Sequence, residues 1–239
     1  MSLNLVNPFM KFASGGGSWD FEDDFTTDKG WSFSDPSSTN KVDTTAEKLY
    51  VDTTSSNTGG TNRACSIDMG LGTVSATNWV FETLMYRITT QAKYANNHMS
   101  ITASTSAVPS YSTTGWNNAD TIYSSIYHAA TTQRQNLGWT TGGSVGDGDA
   151  ITNTAAIVTG TDYYWLTIRL SATSASQKVS ANSDYSSPIT DQTNTNIGST
   201  ANTMSNIKFG NLVHTGFSEG AQVGNIDEIK FADGVTTPP

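Results

Sequence analysis

Two acidic stretches stand near opposite ends of the chain: "WDFEDDF" from Trp19 to Phe25, and "NIDEIKF" from Asn225 to Phe231. Carboxylates at this density can hold a hard cation or divide acid and base work between them. A Ca2+ ion takes roughly six to eight oxygen ligands from carboxylates, carbonyls and water. The competing reading is protective, because charge on edge strands discourages sheet-to-sheet pairing. Acid–base chemistry is poorly served. Asp227 and Glu228 are adjacent, so on a strand they point to opposite faces. "FETLMYRI" carries one glutamate, Glu82, without a partner. The histidines His98, His128 and His214 lack ligand spacing. The single cysteine, Cys65, rules out an intrachain disulfide and reads as a small buried hydrophobe.

Aromatic residues offer a second kind of chemistry, since flat rings stack on sugars while Asn, Asp, Gln and Arg bond the hydroxyls. In "DYYWLTIRLSA" the period-2 alternation puts Tyr164, Leu166, Ile168 and Leu170 on one face, read as core. Tyr163, Trp165, Thr167 and Arg169 fall on the other, read as an outward ligand-binding row led by Tyr163, Trp165 and Arg169. Trp116 in "TTGWNN" and Trp139 in "LGWTTGG" are read as loop tryptophans and join the candidate ligand-binding set. The alternative for each ring is packing.

Strands must position all of these groups. Runs rich in Val, Ile, Thr, Tyr, Phe and Trp recur between Gly, Asn, Asp, Ser and Pro clusters, and no 3.6-residue periodicity is sustained. "NWVFETLMYRITT" is apolar on both faces, with Trp79, Phe81 and Met85 on one side, and it reads as central. More than ten antiparallel strands predict two packed sheets. Only 14% of residues are charged, and Ser and Thr make up about a quarter, a composition suited to polar extracellular or particle surfaces. Net charge is −9, which disfavours nucleic acid and anionic membranes as partners. No apolar run is long enough for membrane insertion.

Residues 1–18 divide into an apolar tip and a Gly/Ser linker, "SGGGS". The tip carries Leu3, Leu5, Val6, Phe9, Met10 and Phe12. Asn4, Asn7 and Pro8 interrupt it, and Lys11 follows the apolar residues, so it reads as mature sequence and not as a secretory signal. The expectation is that residues 1–13 dock on other subunits of the same chain or on a particle protein.

Together "DDFTTDKGWSFSDPSS", "VDTTAEKLYVD", "WVFETLMYRI", "YYWLTIRLSATSASQKVSANSDYSSPI" and "GNIDEIKFADG" resemble a concanavalin A-like lectin/glucanase domain of the laminin-G-like type. The resemblance covers residues 19–234 and leaves 235–239 as a tail. It implies an all-β, two-sheet antiparallel jelly roll with its first and last strands adjacent. Phe21 and Phe25 would then face the core, Glu22 and Asp24 would point away, and acids crowded on neighbouring strands would invite a structural Ca2+, with Glu22, Asp23, Asp24 and Asp227 as candidate ligands and Asp43 as a further one. The glucanases of this fold carry Glu-x-Asp-x-x-Glu on one strand, and this sequence has no such triplet. The expectation is a non-catalytic surface protein, a capsid or tail decoration or adhesion protein at the virion surface or outside the cell, with glycan binding. The alternative is a secreted carbohydrate-binding module or a glycan-cleaving enzyme.

Overall fold

The computed structural model describes residues 18–33, 40–52, 64–91, 96–102, 111–112, 115–116, 120–128, 133–141, 144–146, 157–197, 204–210 and 222–239. The strands in chain order begin with β1 (Phe21–Asp23), β2 (Ser32–Phe33), β3 (Lys41–Asp43), β4 (Lys48–Asp52), β5 (Ala64–Asp68) and β6 (Trp79–Gln91). They continue with β7 (Asn96–Thr102), β8 (Tyr111–Ser112), β9 (Gly115–Trp116), β10 (Thr121–His128), β11 (Gln133–Thr141) and β12 (Ser144–Gly146). The last are β13 (Asp162–Ser171), β14 (Ser174–Ser180), β15 (Thr190–Asn194), β16 (Asn206–Gly210), β17 (Gln222–Ile226) and β18 (Glu228–Asp233). No helix occurs among the described residues, so none is long and apolar enough to cross a membrane. One sheet of nine strands runs β15-β14-β13-β6-β17-β4-β3, with β18 between β6 and β1. A second, of seven, runs β12-β11-β10-β7-β16-β5-β2. Every pairing in them is antiparallel, and their facing sides share one apolar cluster. The protein is the two-sheet antiparallel sandwich expected from its strand pattern.

The two acidic stretches are neighbours, as expected: Phe21, Glu22 and Asp23 pair with Phe231, Lys230 and Ile229. Strand β6 is central, bonded to β13 on one side and to β17 and β18 on the other. It changes phase halfway. Trp79, Phe81 and Thr83 face the second sheet, where Thr83 Oγ1 meets Met99 Sδ at 3.8 Å. At Met85 φ is +53°, and the register with β13 slips between Tyr163 and Trp165. This bulge inserts an extra residue, so the inward series resumes at Tyr86 and Ile88. Strict alternation had placed Met85 with Trp79 and Phe81, and the bulge is why it fails there.

Strand β13 is inverted relative to its sequence reading. The row of Tyr163, Trp165, Thr167 and Arg169 lies in the interior, whereas Leu170 is 41% exposed. The large rings of Tyr163 and Trp165 bury more area than the aliphatic chains opposite them. Arg169 is fully buried, with Nε donating to Ser171 O at 2.6 Å and a guanidinium NH2 group to Ala172 O. Its charge thus serves the hairpin that ends its own strand. Burial draws its pKa down to about 10, leaving it cationic at neutral pH. Beside this row the interior is polar but connected. Gln192 Nε2 donates to Gln177 Oε1 at 2.6 Å, Gln177 donates to Ser124 Oγ on the opposite sheet, and Asn194 Nδ2 donates to Leu137 O at 3.0 Å. Paired groups of this kind can be buried without the cost of orphaned ones.

The bulge constrains its partner strand. A Cβ on Gly224 would lie 2.6 Å from Arg87 O and 2.8 Å from the Tyr86 ring. The first of these is backbone inside a ladder and cannot yield cheaply. Gly224→Ala is expected to destabilise the protein by about 1–3 kcal/mol, the usual scale of overpacking. Urea unfolding checks this, and a loss under about 0.5 kcal/mol would show that the strands can part there at little cost.

Candidate functional site

The four carboxylates proposed for Ca2+ do not converge. Asp23 is fully buried, accepting from Trp31 Nε1 at 2.8 Å and Phe25 N at 3.0 Å, which fixes the turn after β1. Burial raises its pKa against the pull of those two bonds. Asp24 is exposed and accepts from Thr26 Oγ1 at 2.8 Å. Glu22 lies opposite Lys230, not opposite an acid, and Asp227 is ion-paired with Lys48. Asp43 pairs with Lys41 at 2.8 Å. The crowding of like charges inferred from the sequence is therefore relieved by register. Among the described residues no group of three or more His, Cys, Asp or Glu could hold a metal ion.

The aromatic candidates are also redistributed. Tyr163, Trp165 and Arg169 are interior, so they make no outward row. Val158 N donates to Tyr163 Oη at 3.0 Å, and Trp165 packs at a tilt of 56° to Tyr86 with centroids 6.4 Å apart. Trp139 is on β11, not in a loop, and packs partly buried against the core. Trp116 is on β9, in a two-stranded sheet with β8. Leu3, Leu5, Val6, Phe9, Met10 and Phe12 lie outside the described residues.

The inversion of β13 exposes a different constellation on the outer side of the nine-stranded sheet. One row of register partners crosses six strands: Asp191, Lys178, Leu166, Glu82, Lys230 and Glu22. Because Phe81 and Thr83 point inward, Glu82 points out between them. It is nonetheless only 7% exposed. The loop between β14 and β15 brings Tyr185 Oη to 3.4 Å from Glu82 Oε1. Burial, opposed by Lys230 and the Tyr185 hydrogen bond and assisted by Glu228, raises the Glu82 pKa to about 7. Burial and the adjacent Glu82 push the Tyr185 phenol up as well. Glu82 is flanked along its strand by Val80 and across the sheet by Leu166, both buried yet outside the main apolar cluster, as is Ala232 opposite Val80.

Ion pairs surround this centre. Lys230 Nζ lies 3.2 Å from Glu228 Oε1 and 5.7 Å from the Trp19 ring centroid. Lys48 pairs with Asp227, Lys178 with Asp191 at 3.4 Å, and Arg87 clasps Asp162 through two bonds of 2.6 Å. Half-buried Tyr164 stands near Asp162 and Asp227, whose charges, after burial, raise its pKa. The face thus combines rings with matched donors and acceptors. The sequence did flag Glu82 as solitary. Its neighbours arrive from β18 and from the 181–189 loop, far away in the chain, and no local spacing announces them.

The outer side of the seven-stranded sheet holds a second feature that the sequence analysis missed. Register aligns Ser32, Ser66, Lys208, Ser100, Tyr123 and Gly138 in one row. Lys208 and Tyr123 are 1% and 3% exposed. Burial brings the Lys208 pKa down to about 8. The Tyr123 ring lies across Gly138, where a Cβ would come within 2.4 Å of it.

These features define a two-sheet antiparallel β-sandwich with a polar, ring-bearing outer sheet face. No protein-family model matches the chain, and no curated protein sequence matches it. Solved structures share the fold. The carbohydrate recognition domain of Emp47p aligns with 91% of this chain and 97% of its own, at 9% identity and a TM-score of 0.58. The CBM2 module of the evolved Dit of Lactobacillus casei BL23 phage J-1 aligns with 89% of this chain and 94% of its own, at 11% identity and a TM-score of 0.50. A xylan beta-1,4-xylosidase from Bacillus halodurans C-125 aligns with 95% of this chain but 41% of its own, at 11% identity and a TM-score of 0.52. At such identities the likeness shows the fold alone.

Proposed function

We propose that the protein is a non-catalytic, glycan-binding surface module of a virus particle, and that it binds neutral glycan on the outer face of the nine-stranded sheet. The observation that carries this reading is the face itself, where Trp19 and Tyr164 flank ion-paired Lys230, Glu228, Lys48 and Asp227. Rings supply stacking surface, and fixed charged groups bond hydroxyls. Each of those charges has an opposite partner, so the face favours an uncharged ligand. Two further points support the reading. Two of the solved structures matched over nearly their full length carry carbohydrate-binding names, and one of them belongs to a phage protein. Anchorage through residues 1–13 to a particle protein, or to copies of the same chain, is part of the proposal.

A glycan array tests it. Neutral glycans are expected to be retained, with Trp19→Ala weakening retention about tenfold, a stacking contribution near 1.4 kcal/mol. An array blank for neutral glycans, or one unchanged by Trp19→Ala, would remove the proposed face. A glycan-cleaving alternative is favoured by one feature, the placement of Glu82 and Glu228 on one face with electrostatic contact between them. Release of reducing ends from a bound neutral polysaccharide, lost in both Glu82→Gln and Glu228→Gln, would replace the non-catalytic reading with that one.

A further inference from the structure

The 181–189 loop presents a contact that neither the core nor the sheet ladder requires. Its residues Ala181, Asn182, Ser183 and Asp184 are exposed, as are Ser186 and Ser187. Between them Tyr185 turns inward with φ +54°, a left-handed value that costs a non-glycine residue energy unless a contact compensates. Tyr185 N bonds Asn182 O at 3.1 Å, and Ser186 N bonds Asp184 Oδ1 at 3.0 Å, so the turn presents the ring as a unit. The phenol then meets Glu82 at 3.4 Å, a long bond that a better-placed hydroxyl could replace. Next to the carboxyl, along its strand and across the ladder, lie the buried apolar residues Val80, Leu166 and Ala232, with polar Lys230 and Glu228 beside them. A carboxyl beside apolar groups is what a pyranose offers its hydroxyls and its C–H face to.

We propose that Glu82 anchors a sugar subsite that the protein closes with its own Tyr185, the phenol standing where a pyranose hydroxyl would bond, and that the loop opens as pH rises. This rests on the glycan-binding reading and names its central contact. The direction follows from Glu82. Closure favours its protonated form, because burial raises its proton affinity. Below the ordinary carboxyl range both the open and closed forms are protonated and closure is strongest. As pH rises toward 7 the open form ionises first and gains solvation, so closure weakens. The groups acting on Glu82 are Lys230 and Glu228 from β18 and Tyr185 itself, while Glu22 on β1 and Lys178 on β14 lie two strands away in the same row and Tyr164 on β13 acts on Tyr185. The coulombic pull of Lys230 on Glu82 opposes opening without reversing its direction, because burial outweighs it.

Hydrogen–deuterium exchange on the full chain tests the closure. After correction for intrinsic rates, amides of 181–189 are expected to exchange on the order of tenfold faster or more at pH 8.5 than at pH 5.5. In Glu82→Gln, permanently neutral, the increase should vanish and the loop stay protected. In Tyr185→Ala the loop should exchange fast at both pH values. A flat wild-type profile, or the same rise in Glu82→Gln, overturns the closure. The sugar subsite is read separately with soluble xylan and laminarin as probes. At pH 5.5 Tyr185→Ala should retain one of them at least about tenfold more tightly than wild type. Equal retention by the two proteins overturns the subsite. No retention by either, at either pH, overturns the glycan reading, while the exchange result alone decides the closure.

Discussion

Glu82→Gln is expected to stabilise the protein by about 3 kcal/mol at pH 8 and by less than about 1 kcal/mol at pH 5. The folded protein raises the Glu82 pKa from 4.5 to about 7, with burial as the leading cause. A group whose folded pKa is raised contributes stability fully below its unfolded value and loses it as pH climbs through the folded one. Wild type therefore carries this contribution at pH 4, sheds it between about pH 4.5 and 7, and bears a buried carboxylate above that. Glutamine fills the same space, accepts from Tyr185 Oη and has nothing to ionise. The gain corresponds to roughly 6–12 °C in Tm for a chain of this size. Urea unfolding of both proteins from pH 5 to pH 8 checks it. A difference that does not depend on pH would mean that Glu82 is hydrated in the folded state.

Trp165→Ala is expected to cost about 3–5 kcal/mol, the scale of truncating a buried aromatic. Trp165 is 2% exposed within the apolar cluster, near Tyr86. Its strand neighbour Leu170 is 41% exposed, so Leu170→Ala should stay within about 0.5 kcal/mol. Alternation read from sequence predicts the reverse ranking, with Leu170 in the core and Trp165 at the surface. The pair of variants therefore decides which face of β13 is inside. Should Leu170→Ala prove the more damaging, the inverted assignment of this strand, and with it the outer-face site, would be lost.

Glu82 and Trp165 also mark where sequence reasoning stopped. The strand character of "NWVFETLMYRITT" and "DYYWLTIRLSA" was legible because β-branched and aromatic residues with a two-residue period have few other uses. The central place of β6 was legible from its two apolar faces, and the adjacency of β1 and β18 from a family resemblance. Which side of β13 faced inward was not. Both sides carry apolar groups, and period alone assigns residues to two sets without saying which set is buried. That choice depends on what the opposite sheet presents. Here it presents Ser124 and the Leu137 carbonyl, which suit the Gln177 and Asn194 of the neighbouring strands.

Register decided the rest. The acids of "WDFEDDF" and "NIDEIKF" are crowded in sequence, and the resemblance that sets the two stretches side by side is what suggested Ca2+. In space, Glu22 meets Lys230, Asp227 meets Lys48 and Asp23 turns inward to Trp31. A shift of one residue in the pairing would have set carboxylate against carboxylate, and only the folded ladder selects between the two. The chain alone therefore determined that this is an all-β sandwich, because local periodicity and composition suffice for that, whereas the pairing of β1 with β18 was implied by the family resemblance and not by periodicity. Only the tertiary structure decided that Glu82, Tyr185, Lys230 and Glu228 lie together on one outer face. They come from a central strand, a loop some hundred positions later and a strand near the C-terminus, and hydrogen-bond register across the sheet is what brings them within reach.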